Sequence, residues 1–166
     1  MATGPGIGFE TLLRYLEAEE RRWEEFFRRN PAALDIALDK DDAPTVREFL
    51  RHVFGVSQRT AERLLGQAMT PEQSLDISSP ESLFAVAGDA RAKLARFIRQ
   101  TGDADFSQPR RFQSATLGEF SATPRKLVTH ALVHSIRHWA QVATALRQHG
   151  YKQDWGHDFL FSDVLP

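Results

Sequence analysis

The sequence predicts an all-α fold, a four-helix bundle forming a single domain over residues 1–166, on three observations. Four segments of about 20 residues repeat their apolar residues at the helical period of 3.6. Each is bounded by a proline, a glycine or a Ser/Thr cap. Nowhere does a strong strand alternation compete with them.

The first segment, Phe9–Arg29, turns Leu12, Leu13, Leu16, Trp23, Phe26 and Phe27 to one side and leaves Glu and Arg elsewhere. Asn30-Pro31 ends it, because the residue before a proline is pushed out of the α region. The second covers residues 45–67. Thr45 with Glu48 three positions on has capping-box spacing, and the DKDD stretch upstream makes the start acidic. The third, residues 79–99, opens with SPES, a serine cap followed by proline and an acid in the first turn, and Gly102 is expected to close it. The fourth, residues 123–149, starts at Thr123-Pro124 and stops at Gly150, a suitable C′ residue.

Between the last two lies DADFSQPRRFQSATLGEFSA, too short and polar for a further helix and expected to form a small hairpin. Residues 1–8 are expected to be a flexible lead, and residues 150–166 an aromatic tail packed over one end of the bundle. The connection at residues 69–78 is long enough, if extended, to run the length of a ~30 Å helix, which permits a crossover with the second and third helices parallel.

With 42% hydrophobic and 26% charged residues the composition is that of an ordinary globular domain. A net charge of −1 provides no global field toward nucleic acid or an anionic membrane, and the Arg pairs fall among glutamates or in loop-like sequence. The chain has no cysteine, which excludes disulfides, thiolate metal sites and a cysteine nucleophile. No apolar run approaches a membrane span, and the opening MATGPGIGFE lacks the pattern of a secretory signal, so a cytoplasmic location is expected. Any metal must then be held by histidines, carboxylates or water.

The fourth segment carries the chemistry. HALVHSIRHWAQ places His130, His134 and His138 four residues apart, and His134 and His138 fall within the inward stripe Leu127, Ala131, His134, His138, Val142, Leu146. Residues four apart lie one above the other, ~6 Å along the axis, so two imidazoles can reach one ion at ~2.1 Å. His130 stands a further ~40° round and another turn away, outside easy reach of the same ion. A further ligand must come from another element, and His52, on the flank of the second segment's apolar stripe, is the candidate. Three imidazoles with an open position describe a catalytic type of site. Glu48, one turn before His52, and Gln141, one turn beyond His138, are candidates to support the ligands or act on a bound water or substrate, and His130 is a further outer partner.

PTVREFLRHVFGVSQRTAERLLG resembles the second helix, and LVTHALVHSIRHWAQVATALRQHG the fourth, of the DinB/YfiT-like superfamily. The resemblance covers nearly the whole chain. It implies a four-helix bundle in up-down-down-up order, usually a homodimer, with a divalent metal, zinc or nickel, held by His52, His134 and His138. It also implies, for some relatives, thiol-dependent transferase or isomerase chemistry on small molecules. With no cysteine here, a low-molecular-weight thiol would arrive as cosubstrate. The family's Arg-Gly after the last histidine is replaced by Trp139-Ala140, which leaves the ligands intact, puts an anion-binding role for that arginine in doubt, and suggests altered packing at a dimer face by Trp139.

Two rival readings compete with a metal-dependent hydrolase or thiol transferase. One is a non-catalytic bundle whose histidines are structural or whose metal only staples the helices. The other is a helix-turn-helix at FGVSQRTAERLL, with a bend at Gly55 and Gln58, Arg59 and Arg63 facing a nucleic-acid groove; it requires the second helix to break at Gly55. Imidazole suits zinc, nickel, copper and iron alike, so the spacing leaves the metal open. His149 and His157 are expected to be surface or tail residues.

Overall fold

A computed structural model describes residues 7–114 and 118–164 of the chain. Most of the expected flexible lead and the tip of the expected hairpin lie outside these residues. The described chain is mostly helical: α1 (Phe9–Arg29), α2 (Val46–Leu64), α3 (Pro80–Gln100), a short α4 (Asp103–Ser107) and α5 (Pro124–Gln148). A two-stranded antiparallel sheet, β1 (Arg110–Ser114) and β2 (Gly118–Ala122), interrupts them. No helix among the described residues is long and apolar enough to cross a membrane.

Local chemistry sets these bounds. The Thr45 side chain accepts the Glu48 N–H at α2, and Thr123 caps α5 in the same way. At α3 the reciprocal box closes between Ser79 and Ser82, with Pro80 in the first turn. Gly150 ends α5 at φ +83°, the left-handed conformation that glycine adopts without a Cβ penalty. Gly102 does not close α3; it is the N-cap of α4, a helix absent from the sequence reading. Five residues are too few for a helical period to register, and what fixes α4 is Phe106, buried between Phe9 and Phe97 at ring distances of 5.5 and 5.7 Å. The hairpin is present as expected, with Phe112 opposite Phe120.

The four long helices pack in pairs around one core. α3 meets α1 through Phe27–Phe84 and Arg28–Glu81, and meets α2 through Phe54–Phe84, Gln58–Asp89 and Glu62–Lys93. α5 meets α2 through Phe49–His138 and Ser57–Ser135, and α1 through Trp23–Trp139. The connection from α2 to α3 lies back along α2. Thr70 is held by Glu62, Glu72 by Arg59, and the carbonyl of Ile77 accepts from Arg47, near the start of α2.

Trp23 is the centre of the aromatic core. It is fully buried and stacks on Trp139 at 5.1 Å with 7° between the planes. Trp139 therefore belongs to the core, against Trp23, Phe54 and Phe84, and not to a dimer face. On the other side of Trp23 lie Trp155 and His157 from the tail. His157, a tail residue as expected, is partly buried there: its Nδ1 lies 3.1 Å from Glu19 Oε2, and the Trp155 indole N–H donates to the same oxygen. Glu19 and Glu20, assigned by the helical pattern to the outer side of α1, are both buried. Glu19 is satisfied by the tail and Arg22, and Glu20 by Arg91 of α3.

α2 runs unbroken through Gly55, so the bend on which the helix-turn-helix reading depends is absent. Its intended groove-facing residues are engaged inside the fold: Gln58 is buried between Glu62 and Asp89, Arg59 pairs with Glu72, and Arg63 donates to the Gln113 carbonyl.

Candidate metal centre

α5 projects its histidines from one side at successive turns, and α2 faces it across the core, so the site forms where those helices meet. One ring nitrogen from each of His52, His134 and His138 lies within 4.8 Å of the others. The ring centroids are 4.2 Å apart for His134–His138, 5.5 Å for His52–His134 and 6.3 Å for His52–His138. The Nε2 atoms of His134 and His138 are 3.0 Å apart. Two nitrogens sharing a tetrahedral ion at ~2.1 Å stand ~3.4 Å apart, so these two, in hydrogen-bond contact, need move apart by only ~0.4 Å to share one.

The orientation of the His138 ring agrees with that use. Gln141 Oε1 accepts from His138 Nδ1–H, which leaves the lone pair of His138 on Nε2, toward His134. His134 Nδ1 is buried without a polar partner, so Nε2 is the nitrogen through which this ring can make a polar contact. The donor set, three imidazoles without thiolate, fits a divalent transition ion.

A family model, that of the DinB family, matches residues 2–162. The chain belongs to the DinB family. A comparison with curated proteins finds no match.

In this DinB chain the histidine ligand candidates come together, whereas the outer residues expected from the sequence divide. Gln141 reaches His138. His130 is exposed, its ring 5.5 Å from that of His134, and it is outside the converging group. Glu48 serves the start of α2, accepting from the Thr45 hydroxyl at 3.1 Å and lying 4.0 Å from Arg51, so it is committed to the helix cap. The residue that sequence reasoning missed is Glu72, whose Oε1 lies 3.6 Å from His52 Nδ1. It comes from the connection, 20 positions from His52, and no local spacing marks it.

Burial favours the neutral forms of His134 and His138. Burial pulls His134 down from 6.5 to about 3, assisted by the repulsion a charged His134 would meet from the neighbouring histidines, His138 foremost, and from Arg137. Burial also lowers His138, against the opposing pull of its bond to Gln141. A histidine lowered in the folded state takes up a proton on unfolding, so its contribution to stability is complete above about 6.5 and drains as the pH falls toward about 3. Metal-free protein should therefore lose stability between pH 7 and 5 that His134→Gln does not lose. Discounted for the partial exposure of the ring, the difference is about 1 kcal/mol. Urea titrations of both proteins at the two pH values measure it, and subtracting the variant removes other titrating groups. Equal losses would show that His134 is not held neutral.

Proposed function

We propose that this DinB protein binds one divalent transition metal, zinc or nickel, through His52, His134 and His138, and acts with it on a small molecule as a hydrolase or thiol-dependent transferase. The observation that carries the reading is the convergence of three imidazole nitrogens with no further His, Cys, Asp or Glu in the group among the described residues. The His52 side chain is 37% exposed, so the centre opens toward solvent on that side, as a site that admits a substrate requires. Bound there, the ion would supply Lewis-acid activation of a water or of a thiol cosubstrate.

The chain's own residues supply orientation and charge. Gln141 fixes the His138 tautomer, and Phe49, edge-on to the His138 ring at 4.9 Å, closes the inner side. Lys40 and Arg137 both act on His138, and neither has an acidic partner within ion-pair distance among the described residues; a negatively charged substrate suits them. The reading includes a four-helix bundle in up-down-down-up order. Residue numbers that rise together along the α2–α3 contacts, and in opposite senses along α1–α3, support it.

The rival is a metal that only staples α2 to α5, favoured by the placing of the ligands on two helices. Elemental mass spectrometry of untagged protein, followed by addition of a small thiol to the nickel-loaded chain, separates the two. One equivalent of metal, lost in His134→Ala, with a new near-ultraviolet absorption on adding thiol, supports the enzyme. One equivalent indifferent to thiol and to small electrophiles supports the staple. No uptake by folded, metal-challenged protein sinks both.

A further inference from the structure

Gly55 lies buried in the interior of α2, where glycine is less favourable than alanine by ~1 kcal/mol. A Cβ at this position would stand 3.0 Å from Arg59 Nη1, 3.3 Å from Glu72 Cγ and 3.3 Å from Leu75 Cδ1. The absent side chain is therefore what allows the α2–α3 connection to lie directly on the helix. His52, Gly55 and Arg59 share one face of α2, at i, i+3 and i+7. Against that face the connection sets Glu72, which divides its two oxygens. Oε2 is 2.8 Å from Arg59 Nη1, and Oε1 is 3.6 Å from His52 Nδ1.

We infer that Glu72 is a positioning residue of the metal centre: its carboxylate orients the His52 ring through Nδ1 and so presents the other nitrogen to the point where His134 and His138 meet. The inference rests on the metal reading above. A ligating imidazole characteristically gives its second N–H to a carboxylate or carbonyl, which fixes the tautomer and raises its basicity. Gln141 provides such an oxygen for His138, and Glu72 is the oxygen nearest the corresponding nitrogen of His52 among the contacts of that ring. The separation of 3.6 Å is longer than a hydrogen bond, and a small rotation of either half-exposed side chain closes it. Arg59 holds the far oxygen, so the carboxylate is anchored independently of the histidine. The simpler role, that Glu72 only ties the connection to α2 through Arg59, engages the other oxygen and can be tested apart.

The test uses the full chain and cobalt(II) as the probe metal, with affinity from competition against a chromophoric chelator and geometry from the visible absorption of the bound ion. Glu72→Gln should weaken cobalt binding about 10–100-fold and change the visible spectrum, with the far-ultraviolet circular dichroism unaltered. Glu72→Asp, which keeps the charge but draws it back by one methylene, should recover part of the affinity. Arg59→Gln, which releases the anchored oxygen but keeps the carboxylate, should lose less affinity than Glu72→Gln. Wild-type affinity and spectrum in Glu72→Gln would overturn the inference while leaving the metal reading intact, and so would an equal loss in Arg59→Gln. Failure of the wild type to take up cobalt would sink the metal reading and this inference with it.

Discussion

His138→Ala is expected to abolish the stoichiometric metal binding proposed for this protein. Of the three candidate ligands His138 is the most enclosed, 4% exposed, and its tautomer is the one fixed by a direct bond, from Nδ1 to Gln141. Its removal leaves His134 and His52, whose rings are 5.5 Å apart and sit on different helices. Two imidazoles cannot complete the set of three that a tetrahedral site with one open position uses. The fall in affinity should exceed the ~10–100-fold that an outer partner is worth. His130→Ala is the matched control, since it removes an imidazole from the same helix, one turn beyond His134, yet should leave the stoichiometry unchanged. Calorimetric titration of both variants with zinc makes the comparison. Equal retention in both would mean that the convergence of rings is a packing motif.

Trp23→Ala is expected to cost the most stability of any single change, about 3–5 kcal/mol. The indole is wholly buried and contacts five aromatic rings: Trp139, Phe26, Phe27, Trp155 and His157. For a chain of this size a loss of that order lowers Tm by roughly 10 °C or more. The variant should also loosen the tail, because Trp155 and His157 pack on the ring that has been removed. Limited proteolysis should then cut beyond Gly150 before it cuts elsewhere, and the fluorescence of Trp155 should shift to the red. A tail as resistant as in the wild type would show that the Glu19 bonds alone secure it.

The parts of this protein legible in the sequence are those whose signal is local. The long helices declare themselves through period and caps, with α1 matching residue for residue and α5 beginning at its Thr-Pro pair. His134 and His138 are four apart on one helix, so their proximity follows from the period alone. His52 required the additional step of supposing which face of α2 meets α5. What was not legible depends on contacts distant along the chain. Glu72 reaches His52 only because the connection doubles back over Gly55. Trp139 looks like a surface substitution until Trp23 is seen beneath it, and Glu19 looks solvated until the tail supplies its donors. Glu48 had the right spacing for His52, but a helix start offered its carboxylate nearer partners.

The tail that closes over α1 has a consequence during synthesis. Glu19 and His157 are 138 positions apart, and the Trp23 ring is covered in part by residues synthesised long after α1. At about 5–20 residues per second, the apolar side of the first helix waits on the order of ten seconds for its cover. For that interval the nascent chain leaves the side of Trp23 and Phe26 that meets Tyr151, Trp155 and His157 uncovered.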